Sequence, residues 1–183
     1  MSRALDNAVE LQEAVVSAAA LSRPVNITAG NSKTFYGGEI QGMPLAVDTH
    51  RGVVNYEPKE LVLTARAGTP LREIEAVLAE QRQMLAFEPP HFGNRATLGG
   101  TIACGLSGPR RPYAGSARDF VLGVRIINGR GEILHFGGEV MKNVAGYDVS
   151  RLMCGSMGTL GILLEISLKV LPRPESEITL VQE

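Results

Sequence analysis

Successive backbone N–H groups at a sharp turn can hold the oxygens of a diphosphate if no side chain intrudes, and glycine meets both conditions. The segment Ala29-Gly30-Asn31-Ser32-Lys33-Thr34 has these ingredients. A strand-like run leads in, Gly30 allows the turn, and Asn31 and Ser32 add polar donors. Taken by itself, the segment reads first as a plain turn after a strand. Ser32-Lys33-Thr34 echoes a nucleoside-triphosphatase loop, but GxxxxGK[ST] needs a glycine directly before the lysine and an earlier partner, and both are missing. Gly155-x-x-Gly158-x-x-Gly161 is not GxGxxG, and it precedes a strand where the dinucleotide fingerprint precedes a helix, so a nicotinamide Rossmann site is unsupported. The stretch Ala96-Thr97-Leu98-Gly99-Gly100-Thr101-Ile102-Ala103-Cys104-Gly105 mixes small and apolar residues with backbone donors. It reads equally as a packed glycine-rich turn or as the lining for a flat apolar ring with a polar edge.

The remaining reactive residue types give weaker signals. His91, in Glu88-Pro89-Pro90-His91-Phe92-Gly93, is the histidine best placed to approach a cofactor, but an exposed loop histidine is the simpler reading. His50 and His135 sit at strand ends and read as structural. No His, Asp or Glu trio has metal-ligand spacing. Arg110 and Arg111 suit a phosphate, a partner subunit or a solvated turn. Arg118-Asp119 reads as a local ion pair or cap. The Lys142-Asn143 cluster either closes over a ligand or simply precedes a helix capped by Asp148. Cys154 reads as a buried small residue. Cys104 and Cys154 lie far apart without CxxC spacing, which argues against a thiolate metal site or a secreted disulfide framework.

Several elements must position these loops. Residues 7–21 read as a helix with Asn7 and Glu10 at its start and apolar residues at helical spacing. Strands are expected at Val25–Thr28, Leu45–Thr49, Val53–Tyr56, Leu61–Ala67 and Met84–Phe87. A second helix opens at Thr69-Pro70, with threonine as N-cap and proline at the first helical position. Residues 88–118, rich in glycine and proline, read as a long functional loop. Phe120–Ile127 and Glu132–Phe136 form a hairpin around Asn128-Gly129-Arg130-Gly131. A short helix near Tyr147–Met153 leads to a strand at Ile162–Leu171. The fold class is α+β and two-lobed: a small N-terminal lobe over 1–87, and a larger lobe of mixed or antiparallel sheet with flanking helices over 88–183.

The composition is that of an ordinary globular chain, 44% hydrophobic and 20% charged, long enough to bury a substantial core. A net charge of −1 gives no footprint for nucleic acid or an anionic membrane. No run is long enough to span a bilayer, and the first residues lack the apolar stretch of a signal peptide. The expected location is the cytoplasm, with membrane association only through partner subunits.

Taken together, four segments carry a resemblance. Gly30-Asn31-Ser32, Ala96-Thr97-Leu98-Gly99-Gly100, Gly115-Ser116-x-x-Asp119-x-Val121-Leu122-Gly123 and Gly155-Ser156-x-Gly158-Thr159-Leu160-Gly161 resemble, in collinear order, the FAD-binding domain of the p-cresol methylhydroxylase/vanillyl-alcohol oxidase superfamily. His50–Tyr56, Cys104–Pro112 and Gly137–Asp148 further resemble the FAD-binding E subunits of bacterial glycolate oxidases. The resemblance implies FAD as cofactor. Gly30, Asn31, Ser32, Lys33 and Thr34, with Thr97, Leu98, Gly99 and Gly100, would hold the pyrophosphate through main-chain N–H groups. Gly161 and Ile162 would lie near the adenine or ribose. Pro90, Gly93, Gly115 and Ser116 would line the flavin side, and Cys104 and Gly105 complete the set. Cys104 stands where relatives often carry asparagine. Some relatives attach FAD through a first-loop histidine, and none lies between Ala29 and Gly38, so non-covalent FAD is expected. Relatives continue into a substrate-capping domain, which is expected to be absent from a chain ending at Glu183, and no catalytic base can be assigned. The implied role is an FAD-dependent oxidoreductase component of a glycolate (2-hydroxy acid) oxidase. Its implied partners are a second flavin subunit and an iron–sulfur subunit. Two alternatives are a non-catalytic assembly subunit without functional flavin and a same-fold flavin reductase acting on a nucleotide sugar.

Overall fold

A computed structural model describes residues 5–39, 41–138 and 146–182. The Lys142-Asn143 cluster lies outside the described residues. The chain runs through α1 (Ala8–Ala20), β1 (Val25–Thr28), β2 (Met43–Ala46), β3 (Val53–Glu57), β4 (Val62–Arg66), α2 (Leu71–Glu80) and β5 (Gln83–Met84). It continues through α3 (Leu98–Cys104), α4 (Arg111–Ala114), α5 (Ala117–Phe120), β6 (Val121–Ile127), β7 (Ile133–Gly137), α6 (Val149–Leu152), β8 (Ile162–Lys169) and β9 (Leu171–Pro172). This is the α+β architecture the sequence predicts.

The main sheet has the order β3-β4-β8-β6-β7, antiparallel throughout. Strands β3 and β4 precede residue 88 and β6 to β8 follow it, so one sheet runs across the position where the sequence suggests a division. Strand β8 is central and buries residues on both faces. Leu163 packs into the larger core with α2 and α3, whereas Ile162 and Leu164 pack into a second core with Ala8, Leu11 and Val15 of α1. A register shift opposite Arg125/Ile126 leaves Leu164 as the extra residue of a bulge, after which Ile166 and Leu168 point to the larger core. The bulge inverts the alternation, which lets one strand serve two cores. Strands β1 and β2 form a separate parallel pair over the second core. A parallel pair needs a connection that returns along the strands. The stretch 29–42 makes that return, and it carries the first glycine loop out from the carboxyl end of β1.

Four local expectations change. The N-cap of α2 is Pro70, not Thr69; the Thr69 hydroxyl accepts from Gly52 N at 2.9 Å and tethers the preceding loop. Asn7 precedes α1 but does not cap it through its side chain, which donates to Thr49 Oγ1; the Asp6 carboxylate accepts from Ala8 N. The predicted strands shorten or shift, Leu45–Thr49 to Met43–Ala46 and Met84–Phe87 to Gln83–Met84. The expected long loop over 88–118 contains α3, α4 and the start of α5. Helix α3 forms despite two glycines in its first turn because both ends are closed: Thr97 Oγ1 accepts from Gly100 N, and Gly105, at φ +66°, donates to Thr101 O. The predicted Asp148 cap is present, accepting from Arg151 N at 3.0 Å.

Candidate functional site

A cleft of about 300 Å³ opens between the β1–β2 lobe and the face where α3 crosses β8. Ile27, Val47, Ala67 and Leu163 contribute its apolar surface, and Gly99, Gly100 and Ala103 of α3 give one wall without bulky side chains. The loop after β1 forms the opposite wall. Of the residues singled out in the sequence, Gly30, Asn31, Ser32, Lys33, Thr34, Thr97, Gly99, Gly100, Cys104 and Gly161 line this cleft. Cys104, Gly105 and Ser116 line an adjoining polar cavity of about 260 Å³, which shares Tyr36, Cys104 and Met157 with the cleft. Pro90, Leu98, Gly93, Gly115 and Ile162 line neither. Leu98 and Ile162 are core residues, and the Gly115 turn is shaped by Asp119, whose side chain a Cβ there would meet at 3.2 Å.

The two glycine loops differ in what their N–H groups do. Leu98 N donates to Thr69 O at 2.9 Å, Gly99 N to Ala67 O at 2.7 Å, and Gly100 N to Thr97 Oγ1. These donors, expected to hold a pyrophosphate, are engaged within the protein because they tie the start of α3 to the segment after β4. Ser116 is similarly committed, its N–H and hydroxyl both directed to Asp119 Oδ2 at 2.8 Å. Those bonds hold the Asp119 carboxyl below its ordinary value. From Gly30 through Phe35, by contrast, no acceptor among the described residues takes a backbone N–H.

The backbone geometry explains why glycine opens this loop. A Cβ on Gly30 would stand 1.5 Å from the Arg95 carbonyl oxygen, so only glycine lets the two chains approach this closely. Asn31 follows at φ +51°, a left-handed conformation that asparagine tolerates better than most residues. Lys33 is 7% exposed, and its Nζ lies 3.4 Å from Ser32 Oγ. Burial lowers the Lys33 pKa and raises that of Cys104, the charge of each partly opposing the effect. Ser156 also lines the cleft, and its hydroxyl is buried without a partner. A buried orphan donor and a row of unengaged amides fit an acceptor-rich group such as a dinucleotide.

The other candidates resolve into structural roles. His91 Nε2 meets Glu75 Oε1 of α2 at 2.9 Å and lines neither cavity. His50 is buried and accepts from Asn7 N through Nδ1. Arg110 is tied to Glu88 and Glu177, whereas Arg111 lines the polar cavity. Burial pushes the Cys154 thiol up to about 11, the opposite of a reactive thiolate. Among the described residues, no group of three or more His, Cys, Asp or Glu is arranged to hold a metal, and no helix is long and apolar enough to cross a membrane. Tyr36, Ala67 and Met157 line the cleft without having been singled out. Gly158 lies in a quoted motif, but a distant apolar neighbour such as Ala67 carries no local signal.

A family model described as FAD binding domain matches residues 3–137. Over all 183 residues the chain is 58% identical to glycolate oxidase subunit GlcE of Escherichia coli (strain K12), covering 52% of that protein. Over 162 residues, 86% of this chain, it is 33% identical to D-lactate dehydrogenase of Anaerostipes hadrus, covering 34% of it. The chain thus spans about half or a third of the length of these curated relatives. A solved structure of alkyldihydroxyacetonephosphate synthase superposes with a TM-score of 0.72 at 23% identity, over 92% of this chain and 31% of that one. That likeness shows the fold.

Proposed function

This chain belongs to the FAD-binding-domain family, and we propose that FAD lies along the cleft with its diphosphate at the Gly30–Thr34 loop. The observation that carries this reading is the run of unengaged N–H groups from Gly30 to Phe35 along a cleft wall. Successive amides of that kind are an anion cradle, and Gly30 lets the loop lie against the Arg95 backbone, where any side chain would push it away. The small-residue wall of Gly99, Gly100 and Ala103 suits the close approach of a flat or sugar-like group. Gly161 belongs to the adenine or ribose end, and Cys104, Gly105 and Ser116 to the flavin side. With no histidine between Ala29 and Gly38, the attachment is non-covalent.

When bound, FAD supplies the acceptor for a hydride or electrons, and the protein's part is to hold, orient and electrostatically tune it. The names of the relatives, a glycolate oxidase subunit and a D-lactate dehydrogenase, support a 2-hydroxy acid as the substrate class of the whole protein. The printed name glycolate oxidase subunit supports a place in a multi-subunit assembly, whose other members, by the resemblance above, are a second flavin subunit and an iron–sulfur subunit. The polar cavity next to the cleft supports the flavin end lying there, since Arg111 and Arg118 bring positive charge to its rim.

The test is to add FAD to the purified chain and follow the visible spectrum and flavin fluorescence. Saturable binding of one FAD, released intact on denaturation, is expected, with little or no glycolate oxidation by these residues alone. Absence of any spectral change at high FAD would overturn the assignment.

A further inference from the structure

We propose that the side chain of Lys33 is the counter-charge for the diphosphate, so that the first loop reads charge through an ammonium as well as shape through its backbone. The inference rests on the cofactor reading above and deepens it. Lys33 is one of the few charged or polar residues that the fold buries, at 7% exposure, and it lines the cleft. Its Nζ has a hydroxyl at 3.4 Å, Ser32 Oγ, and the Phe92 ring at 6.0 Å. Among the described residues no carboxylate comes within ion-pair distance, and the ionisable group acting on Lys33 is the thiol of Cys104.

Cys104 does not serve as the counter-ion. Burial raises its pKa, so at neutral pH it is a thiol. The Phe92 ring lies at the outer limit of a cation–π contact and offsets little of the desolvation. A buried ammonium without an anion is unfavourable, and a fold that retains one either neutralises it or receives a negative ligand. Burial lowers the Lys33 pKa, so its ammonium is held less firmly here than in water. The unengaged amides from Gly30 to Phe35 add positive potential to the same wall and disfavour the ammonium further. An arriving diphosphate relieves both. It accepts from the amides and from the Lys33 ammonium, and so favours the charged form that burial disfavours. Affinity for the dinucleotide therefore falls as pH rises through the lowered Lys33 pKa.

The experiment uses the full chain, with ADP and adenosine as probes measured by calorimetry at two salt concentrations. Variants are Lys33→Met, which keeps an unbranched apolar chain, and Lys33→Arg, which keeps the charge. The wild type is expected to bind ADP well above adenosine, and Lys33→Met to weaken ADP by about tenfold or more, the worth of one charged hydrogen bond. Adenosine binding stays unchanged in that variant, Lys33→Arg retains most of the ADP affinity, and the salt dependence of ADP binding shrinks only in Lys33→Met. The ligand-free Lys33→Met protein is expected to melt no lower than wild type, because it loses an unpaired buried charge. Should methionine disturb the fold, seen by circular dichroism, Lys33→Gln carries the same ADP-to-adenosine comparison. ADP binding equal to wild type, or equal losses for ADP and adenosine, would overturn the role of Lys33 while leaving the cofactor site standing. If the wild type binds neither ADP nor FAD, the cofactor reading itself fails.

Discussion

Two glycine segments face each other across the cleft, and glycine does different work in each. In the segment after β1, Gly30 packs against the Arg95 carbonyl and leaves the following amides without protein acceptors. In α3, Gly99 lets a helix sit against the main sheet, where a Cβ would come within 2.7 Å of the Ala67 Cβ, and the amides at this end are engaged by Thr69 O, Ala67 O and Thr97 Oγ1. One segment withholds its donors from the fold and the other uses them to build it. Glycine-rich sequence near a cofactor is therefore not one signal. On the proposed function, it marks a ligand cradle where the following donors stay open, and only a packing contact where they do not.

Substitutions at the two glycines should separate these roles. Gly30→Val is expected to lower FAD affinity by about a hundredfold, the equivalent of losing one to two charged hydrogen bonds. The clash with the Arg95 carbonyl should lower the melting temperature as well, so affinity is compared in protein whose fold is checked by circular dichroism; titration against FAD and a thermal scan read the two quantities. Gly99→Ala is expected to act mainly on stability, costing about 2 kcal/mol from overpacking and lowering Tm by roughly 4–8 °C in a chain of this size. If Gly30→Val cost stability and spared affinity, or Gly99→Ala did the reverse, the distinction between cradle and packing contact would be lost.

A smaller effect sharpens the comparison at the second cavity. Asp119 holds the Ser116 turn, and the hydrogen bonds from Ser116 depress its pKa. The folded-state pKa lies below the unfolded value, so the stability it contributes is present above the unfolded pKa and lost as pH falls through the folded one. Asp119→Asn should therefore melt lower than wild type at neutral pH, with the gap closing in acid. The group is largely exposed, so the gap should be small. A gap that stayed constant with pH would show that the turn does not depend on the carboxylate.

The sequence makes some of this legible and hides the rest for physical reasons. The β6–β7 hairpin is readable because alternation and an Asn-Gly turn are local properties, and Asp148 as a cap is readable for the same reason. Helix α3 is not, because Gly99 and Gly100 lower helix propensity and the compensating cap and tertiary bonds involve Thr69 and Ala67, distant in sequence. Gly30 to Thr34 line the cleft, yet nothing in their order says that their amides stay unengaged. Equally, nothing in Ser32-Lys33-Thr34 says that the lysine is buried without a carboxylate. Leu98 and Ile162 are core residues that line neither cavity, since proximity in a motif does not distinguish a lining residue from its supporting core.

The most direct test of the central claim is a backbone amide NMR titration of the full chain with ADP. The account predicts large shifts and slowed exchange for the amides from Gly30 to Phe35, with those of Leu98 and Gly99 nearly unmoved because they already donate within the protein. Saturation by ADP with the Gly30–Phe35 amides unperturbed, or with the main response at Leu98 and Gly99, would contradict it.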